Sequence, residues 1–185
     1  MKRRINKDLG KSHALPVLIV RRRPGGIRAG SIVAHGVRFH AVLGRSGCTA
    51  YKREGDGATP RGSMRIIQGY YRADRVRLPE TQLRMLPIRR DLGWCDAPTN
   101  PSYNRAVRLP FSASHERMVR EDRLYDICLV LDWNLTERRR YRGSAIFLHQ
   151  THPTGRPTDG CIAVDPQIMR RILPRLSRHT VVRVV

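Results

Sequence analysis

Residues 146–164, IFLHQTHPTGRPTDGCIAV, close an apolar run on a histidine and return from a polar turn to a Gly-Cys pair. Those residue types together can supply a nucleophile and its base. A thiol attacks a carbonyl well only as thiolate, and a neighbouring imidazole can take its proton and hold the resulting ion pair. Cys161 and His149 are the candidate pair. Gly160 allows close backbone approach, so the amides of Gly160 and Cys161 are candidate donors to a developing oxyanion. His152 is the rival to His149 as base, or else a loop or substrate-binding residue. His149, His152 and Cys161 can also be drawn as zinc donors, but H-x-x-H-x8-C offers no fourth ligand at a standard spacing, and neither a metal nor another cofactor is expected.

The other thiols are less promising. Cys48, Cys95 and Cys128 are spread too widely to form a CxxC pair or a zinc ribbon. Cys128, inside YDICLVLDW, reads as core. Cys95, in the loop-like Gly93-Trp94-Cys95-Asp96, is the one other candidate reactive thiol. His115-Glu116 reads as a surface pair.

The elements that must position Cys161 and His149 are two apolar runs and a helix. Tyr125–Trp133 reads as a buried strand and Ser144–His149 as a second. Beyond the Gly-Cys pair, Asp165-Pro166 has the form of an N-cap followed by proline at the first helical position. A helix over Gln167–Leu173 then places Ile168, Ile172 and Leu173 on one side. Upstream, Val17–Val20, Ser31–Val33, Val37–Leu43 and Met64–Tyr71 read as strands, with His35-Gly36 turning a hairpin. Val181–Val185 reads as the last strand. Residues 76–121, with prolines 79, 87, 98, 101 and 110, show no sustained period and read as a long functional loop or as unrecognised elements. The sum is a mainly β domain with one or two short helices over 15–185, preceded by a flexible basic arm over 1–14.

The 146–164 segment resembles the signature of the L,D-transpeptidase catalytic domain, also called the YkuD domain, in which a strand-ending His is followed after a loop by Ser/Thr-His-Gly-Cys and an apolar residue. His149, Thr158, Gly160, Cys161 and Ile162 carry the match. Asp159 stands where the family has its second His, and the loop from His149 to Thr158 is shorter than usual. Residues 51–67, YKREGDGATPRGSMRII, resemble the family's upstream glycine-rich block through Lys52, Arg53, Asp56, Thr59, Pro60 and Gly62. Tyr51-Lys52-Arg53 reads equally well as a solvated rim.

The resemblance implies a β-sandwich-like mixed sheet with a short helix against it, Cys161 as the acylated nucleophile and His149 as its base. It places Lys52, Arg53, Thr59, His152, Thr158 and Asp159 on the substrate side. The implied substrate is the tetrapeptide stem of peptidoglycan, joined to Cys161 as a thioester. An amine acceptor would then give a cross-link and water a trimmed tripeptide. Two alternatives remain open: a cytosolic L,D-carboxypeptidase that makes tripeptide in peptidoglycan recycling, and a non-catalytic basic module that binds polyanions.

Composition is compatible with all three. The 36 Lys and Arg against 15 Asp and Glu give a formal charge of +21, and a surface so charged attracts polyanions. Yet no compact basic helix, zinc-finger spacing or RNP-like aromatic stretch is present, so nucleic acid is not the expected partner. The arginines would suit the carboxylates of a peptide stem. At 185 residues the chain has the size of one domain with its own core, and a monomer is expected. Ala14–Val20 is short and broken by Pro16, unlike a signal peptide, and no run approaches membrane-spanning length. The sequence as given therefore points to the cytoplasm, or to the periplasm if a leader was removed.

Overall fold

The computed structural model describes residues 14–185. The basic arm expected over 1–14 lies outside the described residues except for Ala14. In chain order the strands are β1 (Val17–Arg22), β2 (Ala29–Ala34), β3 (Val37–Val42), β4 (Cys48–Thr49), β5 (Thr59–Pro60), β6 (Gly62–Tyr71) and β7 (Met85–Pro87). They continue with β8 (Leu92–Cys95), β9 (Arg105–Arg108), β10 (His115–Arg117), β11 (Ile127–Leu131), β12 (Phe147–Gln150) and β13 (Ile162–Val164). Helix α1 (Pro166–Ile172), a 3-10 turn over Leu173–Arg175 and β14 (Val181–Val184) complete the chain.

The mainly β reading holds, and the mixed sheet closes on itself. Its order is β11-β12-β13-β3-β2-β1-β14-β6, and the long β6 pairs back with β11, giving a barrel-like ring with β7 appended to β6. Closure leaves few free edges. The β2–β3 hairpin turns at His35 and Gly36, with φ of 48° and 75°. Positive φ at both turn positions matches the twist of the flanking strands, so the turn is of the kind that suits a two-residue hairpin.

Strands β11 and β12 are buried along their whole length because both their faces are covered. Ile127, Leu129, Leu131 and Leu148 face an aliphatic core, which α1 joins through Met169 and Ile172. The alternating residues Cys128, Val130 and Phe147 face a smaller cluster containing Trp94, Tyr125 and Cys161. Period-two alternation between two apolar sides explains why these strands appear in sequence as unbroken apolar runs. Asp165 caps α1 as expected, accepting from the Gln167 amide at 2.7 Å.

The proline-rich middle holds unrecognised elements, the second of its two readings. Within it, β10-β8-β9 form a separate three-stranded antiparallel sheet. Its strands have only three or four residues. That length is too short for a period to emerge. It is held to the barrel by Trp94, whose ring stands edge-on to Phe147 at 5.2 Å.

Candidate active site

Parallel pairing of β12 with β13 brings the two chemical residues together. Leu148 lies opposite Ile162 and His149 opposite Ala163. Cys161, just before β13, is thus level with Phe147, whose amide donates to its Sγ at 3.4 Å. Phe147 and His149 point to the same face of β12. Cys161 and His149 are therefore diagonal neighbours, about 8 Å apart between Cα atoms for strands of ordinary spacing and rise. Both line one cleft of about 380 Å³.

At rest the pair is uncharged. Burial pushes the Cys161 thiol up to about 12, opposed by the Phe147 amide, and the thiol donates to the Ala145 carbonyl at 3.2 Å. Burial pulls His149 down to about 4, opposed by its hydrogen bond to Gln150. The ion pair allowed for by the residue types is not the resting state, because neither charge is solvated there. His149 Nδ1 sits 2.7 Å from the Gln150 carbonyl. That contact requires a proton on Nδ1 and leaves Nε2 as the proton-accepting nitrogen. Ala145, whose carbonyl holds the thiol, has φ of 52°, a conformation uncommon for a residue with a side chain.

The turn before Cys161 is fastened by hydroxyls. Thr158 Oγ1 donates to the Cys161 carbonyl at 2.6 Å, and the buried Thr59 donates to the same oxygen at 3.3 Å. Thr59 in turn accepts from the Gly44 amide at 2.9 Å. Thr158 Oγ1 also accepts from the Gly160 amide at 3.3 Å. The Gly160 amide, expected to face an oxyanion, is thus engaged within the turn. Gly160 has φ of 129°, and a Cβ there would lie 2.9 Å from the Ala58 carbonyl, so glycine is needed for conformation and for space.

The expected substrate-side residues divide. His152, Thr158 and Asp159 line the cleft with Cys161 and His149, whereas Lys52, Arg53 and Thr59 do not. His152 is half-buried and accepts from the Thr154 amide at 3.2 Å. Asp159 is exposed and pairs with Arg45 across the turn. Tyr51-Lys52-Arg53 is no uniform rim, since Tyr51 and Arg53 are exposed while Lys52 is 3 % exposed and paired with Asp56.

Other expectations are corrected too. Cys95 lies in β8 rather than in a loop, is fully buried and does not line the cleft that holds Cys161 and His149. Cys128 is core, as expected. His115 and Glu116 do not pair: Glu116 accepts from Arg120 at 2.5 Å, and His115 contacts the Ala113 carbonyl. Among the described residues, no three metal-binding side chains converge.

The structure adds residues that the sequence did not mark. The Tyr125 ring stands edge-on to His149 at 5.2 Å, and the Arg120 guanidinium lies 5.1 Å from the Tyr125 ring centre. Buried Asn104 accepts from Trp94 Nε1 at 3.0 Å and from the Ala145 amide at 3.1 Å, tying the inserted sheet to the residue that holds the thiol. Both Asn104 and Arg120 fall in the stretch without periodicity, and a lone polar residue there carries no signal of burial. The cleft is also more acidic than the chain: Glu54, Asp96, Glu116, Asp122 and Asp159, five of the 15 carboxylates, line it beside Arg120 and Arg156.

A family model of the L,D-transpeptidase catalytic domain (YkuD) matches residues 22–184, nearly the whole chain. No curated protein and no solved structure matches it.

Proposed function

The chain belongs to the L,D-transpeptidase catalytic domain family, and from that premise we propose that it is a cysteine-dependent acyl-transfer enzyme acting on the tetrapeptide stems of peptidoglycan. One observation carries the proposal: Cys161 and His149 sit on neighbouring chain segments facing one cleft, with the imidazole held in the tautomer that accepts a proton at Nε2.

In the proposed course, substrate enters and the Cys161 thiol leaves the Ala145 carbonyl. His149 Nε2 takes its proton as Sγ attacks the carbonyl of the L-centre residue. The S–C bond forms, the C–N bond to the terminal D-residue breaks, and His149 returns the proton to the departing amine. A thioester remains. An amine of a second stem then attacks, its N–C bond replacing the S–C bond, and the released sulfur recovers a proton through His149. Because both groups rest neutral, charge separation is confined to the reaction itself.

Glu54 and Asp96, the cleft carboxylates not ion-paired with an arginine among the described residues, support an amine acceptor over water by drawing in an ammonium, which loses a proton before it attacks. The five cleft carboxylates together also modify the expectation that arginines would meet the stem: excess positive charge lies over the chain as a whole, not in this cleft.

The test is incubation with disaccharide-tetrapeptide, read by mass spectrometry beside Cys161→Ala. A cross-linked dimer with free D-alanine is expected from the wild type and nothing from the variant. Tripeptide alone would replace transpeptidation by L,D-carboxypeptidase activity. Absence of both products, with no acyl adduct from a carbapenem on Cys161, would overturn the enzyme reading in favour of a binding module.

A further inference from the structure

Among the described residues Lys52 is the one lysine; it is strongly buried near the proposed nucleophile and does not line the cleft. Its side chain is 3 % exposed, and its ammonium pairs with Asp56. Asp56 is itself held by the amides of Arg53 at 2.7 Å and Ala58 at 2.9 Å. Two glycines make room for the lysine. A Cβ on Gly143, which has φ of 89°, would lie 2.8 Å from Lys52 Cε. A Cβ on Gly160 would lie 3.3 Å from Lys52 Nζ. The ammonium therefore packs directly against the residue that precedes Cys161. On its other flank, Lys52 lines a separate hollow of about 500 Å³ with Trp133 and Asn134, which contains neither Cys161 nor His149.

A lysine so enclosed is costly to bury, and its charge acts at short range through a medium that screens it poorly. We propose that Lys52 is a positioning residue, which contacts no substrate and instead sets a positive potential at the Cys161 sulfur and fixes the Gly160 turn beneath it. Burial and, beside it, the Glu116 carboxylate oppose the thiolate, while the Phe147 amide, the Lys52 ammonium and Arg120 favour it; the Asp56 carboxylate offsets part of the Lys52 field. As negative charge develops on sulfur and then on the attacked carbonyl oxygen, a cation already in place need not reorganise. The Asp56 carboxylate holds the ammonium at this distance and restrains it from swinging into the cleft.

The inference rests on Cys161 being the nucleophile, but its test needs no peptidoglycan. The rate of Cys161 alkylation by iodoacetamide is followed against pH in otherwise wild-type protein, with Cys161→Ala subtracting the other thiols. Lys52→Met and Lys52→Gln are expected to label roughly tenfold more slowly than wild type at each fixed pH between about 7 and 9, where the thiolate is the minor form. Lys52→Arg keeps the charge and is expected to label near the wild-type rate. Two neutral variants are used so that loss of fold in one leaves the other to decide. An unchanged labelling rate in a folded neutral variant, or an equal slowing in Lys52→Arg, would overturn the proposal and leave Lys52 a packing residue. A raised KM for peptide with an unchanged alkylation profile would also overturn it, because that outcome marks direct substrate contact. If the alkylation pattern appears but no peptidoglycan product forms, the substrate reading fails and this one stands.

Discussion

The barrel strands that carry His149 and the inserted sheet that leans over them are assembled by different forces. In β11 and β12 every second residue enters the aliphatic core and the alternate ones enter the cluster around Phe147. In the inserted sheet of β8, β9 and β10 the fastening is polar and aromatic: Asn104 bridges Trp94 to Ala145, and Arg120 beside it binds Glu116 and Asp122. The difference teaches a division of labour. Apolar burial is large and non-directional, so it secures the barrel. Hydrogen bonds are small in net energy but directional, so they set the shape of the cleft.

The sharpest test of that division lies at His149, which belongs to a barrel strand by burial and to the cleft by chemistry. His149→Gln is expected to lower acyl transfer about 10²- to 10⁴-fold, the usual contribution of a general base. Its effect on stability should depend on pH. His149 is lowered from 6.5 to about 4 in the folded chain. The unfolded chain therefore binds the proton first, so the fold is favoured above pH 6.5 and loses that advantage as pH falls through 4. Wild type should lose up to about 3 kcal/mol across that interval. The Gln variant should not, as thermal melts at several pH values would reveal. Parallel melting curves at every pH would mean that the imidazole is not buried neutral.

Next in size is a pair of substitutions placed on the two sides of the comparison. Leu148→Ala opens a cavity in the aliphatic core and should cost about 3 kcal/mol. Turnover measured well below its melting temperature should remain close to wild type. Asn104→Ala should cost a similar amount, about 3 kcal/mol, through the unpartnered Trp94 indole, Ala145 amide and Trp133 and Asn134 carbonyls and a backbone with φ of 57°. It should nevertheless reduce turnover more than Leu148→Ala, because Ala145 holds the Cys161 thiol. Equal ratios of lost activity to lost stability in the two variants would erase the distinction between regions.

The same division explains what could be read from the sequence. Tyr125–Trp133 and Ser144–His149 announce themselves because β11 and β12 bury both faces and so read as apolar runs, and Val17–Val20 does so through its branched residues, with Leu18 and Val20 buried. The proximity of Cys161 to His149 followed from the resemblance, whereas the neutral resting pair did not, since it arises from burial at the junction of two clusters. The inserted sheet was hidden because its strands are brief and its anchors, Asn104 and Arg120, are polar residues that default to the surface. Lys52 was hidden for the same reason. A lysine in a glycine-rich loop reads as a solvated rim, and only Gly143 and Gly160, both far along the chain, reveal the space made for it.

The smallest effect is expected at Asp159, the residue that departs from the family signature. Its side chain is 87 % exposed and that of its partner Arg45 is 49 % exposed. The turn it belongs to is held by other means, since the Arg45 amide donates to the Thr158 carbonyl at 2.8 Å and Thr158 Oγ1 binds the Cys161 carbonyl. Asp159→Ala should therefore cost less than about 1 kcal/mol, as exposed ion pairs do. High salt, which screens such pairs, should erase even that difference. Acylation of Cys161 by a carbapenem should proceed at the wild-type rate, because the proposed nucleophile and base, Lys52 and the fastened turn are all left in place. If Asp159 acts anywhere it is on the second half of the reaction, where its carboxylate adds to the acidic lining met by an incoming amine. The ratio of cross-linked to hydrolysed product should then fall in Asp159→Ala while acylation is unchanged. A loss of acylation, or a stability loss that persists in high salt, would show that this exposed aspartate is part of the scaffold and that the border between barrel and cleft lies elsewhere.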